Sequence, residues 1–286
     1  MHGIQDRDTL ATVSGPDGAL RAAEEAKKAG KTRFIAISGH GRPDGMIPAV
    51  KSYDYDVLMT VFNYFDRFNF PQVEEELLPL CRGKNMGVLA MKPVADGFLY
   101  QNPEKAFRYC LGLDVDAVVT GANREDYLEA AFRAAENFHP MTEEELDSLF
   151  RDAPELGDYV CRLCGKCRTE DFDPRKVFLT EALFDRQMDR ARVEDADFYA
   201  LRERLKHWFH QDDKARTEYA AMEDKVDPEA DYRYLNASCF YGIDIDRKLR
   251  IAHAKLSGKA FQYIKALGRR KFGAQEEKSS IQGVKK

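Results

Sequence analysis

Three cysteines fall close together in the run Cys161-Arg162-Leu163-Cys164-Gly165-Lys166-Cys167. Two-residue spacers let three thiolates turn inward around one centre, with Gly165 relaxing the tight backbone between them. A bacterial-type iron–sulfur loop supplies cysteines at this spacing. Zinc sites more often use cysteine pairs separated by a longer loop, although three cysteines with one other ligand also satisfy zinc. Free thiols are the plain alternative. Arg162, Lys166 and Arg168 would offset the negative charge of a thiolate-bound cluster. The complete bacterial loop carries a fourth cysteine, and its position is held here by Asp171. Three arrangements remain open: Asp171 ligates a fourth iron of a 4Fe-4S cluster through oxygen, the cluster is 3Fe-4S, or Cys239 folds back to close the site. The plain reading of Cys239 is a small buried apolar residue.

A second set of polar residues stands at the ends of short apolar runs. Ser38 and His40 end RFIAIS-GH, Asn63 follows DVLMTVF, Lys92 follows GVLAM, and Gly121, Asn123 and Arg124 follow VDAVVT. The runs cover residues 33–38, 56–62, 87–91 and 115–120 and are nearly uninterrupted, as in parallel strands covered on both faces. Helical patterns lie at 18–29, 46–52, 72–81, 103–111 and 124–137, with Gly30 where the first should stop. Alternating strand and helix predicts an α/β fold of repeated βα units. Four units are half of a (β/α)8 TIM barrel, which places side chains at the carboxyl ends of its strands in the active site. Such a half leaves sheet edges to be covered by other chain. The glycine-led loop at 121–123 opens a helix whose free N–H groups suit a phosphate, and Arg124 suits pairing with it. Ordinary structural roles exist for each: a turn for Ser38 or Asn63, a solvated charge for Lys92, an N-cap and surface charge for Asn123 and Arg124. His2 has the plain reading of a residue in an N-terminal tail.

Strand patterns end near residue 138. Helices are expected at 143–151, 175–188, 195–209, 212–224 and 246–256, with Trp208 and Phe209 in their core and a polar stretch closing the chain. The organisation is therefore 1–140, a half-barrel, and 141–286, a small α-helical domain around the cysteine loop. His40, His139, His207, His210 and His253 show no metal-ligand spacing.

Of 286 residues, 44 are basic and 49 acidic, and the net charge of −5 argues against a nucleic-acid binder. No apolar stretch approaches the roughly 18–20 residues that span a bilayer. The opening MHGIQDRDTL carries no apolar signal core. Clustered cysteines without a secretion signal suit a reducing cytoplasm.

HGIQD, KTRFIAISGH, DVLMTVFNYFDR, GVLAMKPVADGF, VVTGANREDYLEAAF and CRLCGKC together resemble the aldo-keto reductase family, in the subgroup with a C-terminal ferredoxin-like domain. The resemblance covers about residues 2–255 and is strongest at the strand ends and the cysteine run. It implies the last four βα units of the barrel, carbonyl/alcohol interconversion with NADP(H), a small-molecule carbonyl substrate, and an associated iron–sulfur cluster that allows a redox partner. By the same resemblance Ser38 and Asn63 bond the nicotinamide carboxamide. Lys92 lies near the pyrophosphate or ribose, and Gly121, Asn123 and Arg124 hold the adenosine end. His2 matches the family's catalytic histidine. The family's tyrosine, lysine and aspartate belong to the half expected before this sequence, and its frequent glutamine on the sixth strand is Met59 here. An iron–sulfur electron-transfer or structural protein, or an inactive fragment, is the competing expectation.

Overall fold

The computed structural model describes residues 1–40, 42–189, 195–207 and 211–258. The expectations for Trp208, Phe209, His210 and the closing polar stretch lie outside these. The chain divides into two compact units, Met1–Phe150 and Arg151–Lys286.

The first unit opens with α1 (Arg7–Ser14), which carries no clear apolar stripe and is started by a capping box. Asp6 Oδ1 accepts the Thr9 amide at 2.8 Å, and Thr9 Oγ1 accepts the Asp6 amide at 2.9 Å. Then come α2 (Ala19–Lys28), β1 (Ala36–Ser38), α3 (Pro43–Ser52) and β2 (Val57–Val61). Gly30 follows α2 at φ +71°, the left-handed conformation that a glycine stop supplies. A π-helical stretch, Val73–Leu77, runs directly into α4 (Leu78–Gly83), so the span expected as one helix changes its hydrogen-bond period midway. The unit continues with β3 (Gly87–Met91), α5 (Pro103–Leu111), β4 (Ala117–Val119) and α6 (Glu125–Glu136). Helix α7 (Glu143–Asp152) crosses the division between the units.

All four strands pair in parallel in the order β1-β2-β3-β4, in an α/β arrangement as expected. The register sets Ala36 beside Val57, Val57 beside Gly87, and Leu89 beside Ala117. Ile37, Leu58, Val88 and Ala90 are fully buried along it. Parallel neighbours cannot be joined by tight hairpins, which is why a helical connection precedes each new strand. Two aspartates fasten the strand entries in the same way. Asp56, just ahead of β2, accepts the Ile35 amide at 2.7 Å and Lys27 of α2 at 2.8 Å. Asp116, just ahead of β4, accepts the Val88 amide at 2.6 Å and Arg82 of α4 at 2.8 Å. The N-terminal segment lies along the free edge of β1: the Ser38 amide donates to Met1 O at 2.9 Å, and the Gly3 and Ile4 amides donate to Ser38 O at 3.0 Å.

The second unit is helical among its described residues: α8 (Pro174–Asp185), α9 (Ala196–His207), α10 (Asp212–Ala221) and α11 (Ile245–Leu256). Val177, Phe178, Tyr219, Leu235, Ile245 and Leu249 form its core with Cys161. Helix α8 stops earlier than expected because Arg186 and Gln187 both take left-handed φ, +55° and +57°. Its fully buried Glu181 accepts Lys248 at 2.8 Å, Lys255 at 2.5 Å and the Tyr159 hydroxyl at 2.7 Å, and Lys255 also pairs with Asp185 at 2.7 Å. Burial pushes the Glu181 carboxyl up, but the two ammonium groups outweigh it and hold it at about 2. No helix among the described residues is long and apolar enough to cross a membrane.

Candidate functional site

The carboxyl ends of β1 to β3 carry the polar residues picked out in the sequence. Buried Ser38 ends β1, and its Oγ is hydrogen-bonded to His2 Nδ1 at 2.8 Å. The His2 and His40 rings meet edge-on with centroids 5.8 Å apart. The bond fixes the imidazole orientation and couples its tautomer to the serine hydroxyl. The chain's first residues reach this position because Met1–Ile4 pair with β1.

Asn63, two residues past β2, is fully buried. Its Oδ1 accepts the Asp66 amide at 2.7 Å and the Phe65 amide at 3.1 Å. Its Nδ2 donates to Asp66 Oδ2 at 3.0 Å and to Lys92 O at 3.3 Å. Two bonds on the oxygen and two on the nitrogen are the full capacity of a carboxamide. Asn63 thus clamps the loop after β2 to the loop after β3, and a ligand amide would have to displace one of these bonds.

Lys92 follows β3, and its ammonium pairs with Asp96 at 2.8 Å, both side chains mostly buried. The loop between them is strained: Lys92, Ala95 and Asp96 take φ of +56°, +47° and +57°. Each such residue costs on the order of 1–3 kcal/mol, and strain of this kind collects where a loop must present a group in one orientation.

At the end of β4, Gly121, Asn123 and Arg124 are exposed. Arg124 precedes α6 in an extended conformation and contributes no cap. Its guanidinium grips Asp126 through two bonds of 2.9 and 2.8 Å and lies 5.0 Å above the Tyr127 ring. Hydrogen bonding from Arg124 lowers the Asp126 carboxyl below its usual range. A phosphate arriving at this helix start must compete with Asp126 for Arg124.

The sequence reading passed over a cluster beside Asn63. A small cleft of about 10 Å³ is bordered by His40, Asn63, Asp66, Arg67 and Glu74, among others. Glu74 lies in the π-helical stretch and pairs with Arg67, and the Tyr109 hydroxyl donates to its two oxygens at 2.8 and 2.9 Å. Burial raises the Glu74 carboxyl, opposed by Arg67 and the tyrosine hydrogen bond. One acid in the run Glu74-Glu75-Glu76 carries no sequence signal that marks it as the buried one.

In the second unit, Cys161 is buried, Cys167 and Cys239 are half-buried, and Cys164 is exposed. The loop turns through two left-handed residues, Leu163 at φ +57° and Gly165 at φ +76°. A Cβ on Gly165 would stand 2.9 Å from Arg175 Nη1. Arg175 itself joins the loop to α8, donating to Leu163 O at 3.4 Å and to Asp173 at 2.9 and 2.7 Å. Two backbone amides point at sulfur: Leu163 N donates to Cys161 Sγ and Ile243 N to Cys239 Sγ, both at 3.4 Å. Burial, opposed by the Leu163 amide and Lys248, pushes the Cys161 thiol up to about 12. Burial, then Cys239 and Cys164, pushes Cys167 up to about 11. Asp171 is exposed. Among the described residues, no three His, Cys, Asp or Glu side chains come together to hold one metal ion.

Residues 11–146 match the aldo/keto reductase family. The uncharacterized oxidoreductase YqkF of Bacillus subtilis (strain 168) is 28% identical over 188 residues, 52% of this chain and 57% of that protein. The holo and apo structures of aldo-keto reductase AKR11C1 from Bacillus halodurans are 27% identical over 48% of this chain and 56% of theirs, with a TM-score of 0.39. The chain spans a little over half the length of these relatives. His2 and the cysteine run both lie outside the matched residues.

Proposed function

We propose that the first unit is the cofactor-facing half-barrel of an NADP(H)-linked oxidoreductase acting on a small carbonyl compound or alcohol, and that the second holds an iron–sulfur cluster in a ferredoxin-like domain. The observation that carries the first part is the hydrogen bond of 2.8 Å between His2 and Ser38 at the carboxyl end of β1, in an aldo/keto reductase family context. With the Ser38 hydroxyl donating to Nδ1, the imidazole proton resides on Nε2, the atom that can offer it to a carbonyl oxygen. Ser38, Lys92 and the loop at 121–124 are the groups on offer to the cofactor, while Asn63 keeps the two strand-end loops in register. The nicotinamide, when bound, supplies the hydride.

The iron–sulfur part of the reading is supported by the C-x2-C-x2-C spacing, not by a gathered set of ligands. Two backbone N–H groups already address sulfur, at Cys161 and at Cys239, an interaction by which proteins tune such clusters. Cys239, rather than exposed Asp171, is the fourth ligand in this reading. The cluster supplies one-electron chemistry when bound. Ligation must displace protons from thiols that burial holds firmly protonated, so loading favours higher pH. Thiols kept free in this way belong in a reducing cytoplasm, where a redox partner is also available.

Full-length chain, prepared anaerobically, is titrated with NADPH and then given carbonyl compounds. Saturable NADPH binding that weakens in Ser38→Ala supports the reading. Equal binding by wild type and Ser38→Ala, or none by either, overturns the cofactor assignment. Binding without carbonyl-dependent NADPH oxidation favours the electron-transfer or incomplete-fragment alternative.

A further inference from the structure

Phe240 leaves 57% of its surface in water, and two cations rest on its ring. Lys166 Nζ lies 4.8 Å and the Arg151 guanidinium 5.6 Å from the centroid, all three residues belonging to the second unit. Lys166 stands between Cys164 and Cys167, and Phe240 follows Cys239, so the contact joins the cysteine loop to the segment that carries Cys239. Arg162 of the same loop repeats the arrangement, 5.0 Å from the Tyr241 ring. Elsewhere in this unit basic side chains meet carboxylates: Arg175 pairs with Asp173, Lys176 with Asp224, Arg233 with Asp231 and Arg250 with Asp246. Among the described residues, exposed Arg151 and Lys166 form no ion pair, and neither does exposed Arg168, the next cation of the loop. Glu170 and Asp171 are exposed and pair with none of the three. On a chain with a net charge of −5, this is a positive surface around an uncovered aromatic ring.

Such a surface suits one kind of partner. A cation over an exposed ring gains only modestly from the contact. The ring nevertheless restrains the cation, so less side-chain freedom is lost when an anion arrives. A partner that brings carboxylates to both cations and an apolar side chain to the open part of the ring buries Phe240 among them, and interfaces are enriched in aromatic and arginine side chains. Opposite charge also speeds encounter, an effect that added salt removes. We infer that Phe240, Lys166 and Arg151 form a docking surface for an acidic protein segment in which carboxylates surround an apolar side chain. The inference goes beyond the cofactor and cluster readings and requires neither. A segment seated there is delivered to the loop that carries exposed Cys164.

The test uses full-length protein without added iron and a fluorescein-labelled peptide of glutamate and leucine, read by anisotropy at low salt. The same peptide with glutamine for glutamate is the control, and inorganic polyphosphate is the competitor. Wild type is compared with Phe240→Ala, Arg151→Gln/Lys166→Gln and Lys105→Gln, the last an exposed cation of the first unit that also forms no ion pair among the described residues. Wild type should bind the acidic peptide saturably and the glutamine peptide at least about tenfold more weakly. Phe240→Ala and the double variant should each lose about tenfold in affinity, and Lys105→Gln nothing. Should Phe240→Ala fail to fold, Arg151→Glu/Lys166→Glu decides: loss of the acidic peptide with saturable uptake of a lysine-and-leucine peptide supports the inference, and an unchanged preference overturns it. No saturable binding by wild type overturns it, as does an equal loss in Lys105→Gln. Displacement by polyphosphate with normal binding in Phe240→Ala assigns the cations to phosphate and overturns it as well. A wild-type dimer in sedimentation that Phe240→Ala dissociates makes the occupant a second copy and also overturns it. None of these readouts moves if the cluster or the NADPH assignment fails.

Discussion

Asn63 offers the sharpest test of how the strand-end loops are held. Its fully buried carboxamide accepts two backbone amides and donates to Asp66 and to Lys92 O. Asn63→Ala strips the buried Phe65 and Asp66 amides of their acceptor. At about 1–2 kcal/mol for each donor left unsatisfied, the loss is about 2–4 kcal/mol, a large part of a domain's usual margin of about 5–15 kcal/mol. Asn63→Asp keeps the acceptor but replaces the amide donor with a second carboxylate facing Asp66 across what was a 3.0 Å hydrogen bond. Two like charges at this range repel by about 4 kcal/mol at the effective polarity of a protein near its surface. The introduced carboxyl therefore has a folded pKa above its unfolded value. Its penalty is small below the unfolded pKa of about 4 and grows as pH rises through the raised folded value. Hydrogen exchange of peptides covering residues 57–91, followed in increasing urea, reads this unit without interference from the other. Asn63→Asp should lose more protection than Asn63→Ala at neutral pH and recover past it toward wild type as the pH is lowered toward 4. An Ala variant within about 0.5 kcal/mol of wild type, below the range expected for one unsatisfied donor, would show that water replaces the clamp. An Asp variant indifferent to pH would refute the electrostatic part.

Arg124, Gly165 and Glu145 give three further tests. Asp126→Ala releases Arg124 and should tighten NADPH binding, whereas Arg124→Ala should weaken it; the opposite order in a salt-matched titration excludes a phosphate at the start of α6. Gly165→Ala sets a Cβ 2.9 Å from Arg175 at φ +76°, so iron retained after reconstitution should fall while helix content stays constant. Glu145 is held down to about 2 by hydrogen bonds from Arg108 first and the Thr142 amide second. A depressed carboxyl stabilises above its unfolded pKa, and that support is lost as pH falls from about 4.3 toward 2. Glu145→Gln should flatten the acid limb of the first unit's stability, and a limb of unchanged slope assigns acid sensitivity to other carboxyls.

The strands were legible because each is a short apolar run with turn chemistry at both ends, and Gly30 marked its helix stop through a conformation that glycine adopts easily. Helix α1 was not, since RDTLATVS lacks a stripe and its start depends on one reciprocal cap at Asp6 and Thr9. Residue type drew attention to Asn63 and Arg124, but type does not say whether a polar group is already satisfied within its own loop. Lys248 and Lys255 read as ordinary charges in an amphipathic helix. Their partner Glu181 lies 67 and 74 residues away, beyond the reach of any local pattern. Cys239 is a similar case: it packs against the same core as Cys167, which no local pattern announces.

Asp56 and Asp116 have a consequence for how such a domain can be rearranged. Each joins a basic residue at the end of one helix to the entry of the strand that follows it and to the entry of the next strand, so β1 with β2 and β3 with β4 form two separately fastened modules. The seam between the modules is held by the five-residue β2–β3 ladder and by the Asn63 bond to Lys92 O. A crossover in the segment between residues 62 and 81 would therefore carry both fastenings through intact, and exchange of whole modules there is the route by which this sheet can acquire new strand-end chemistry without relearning how to fold.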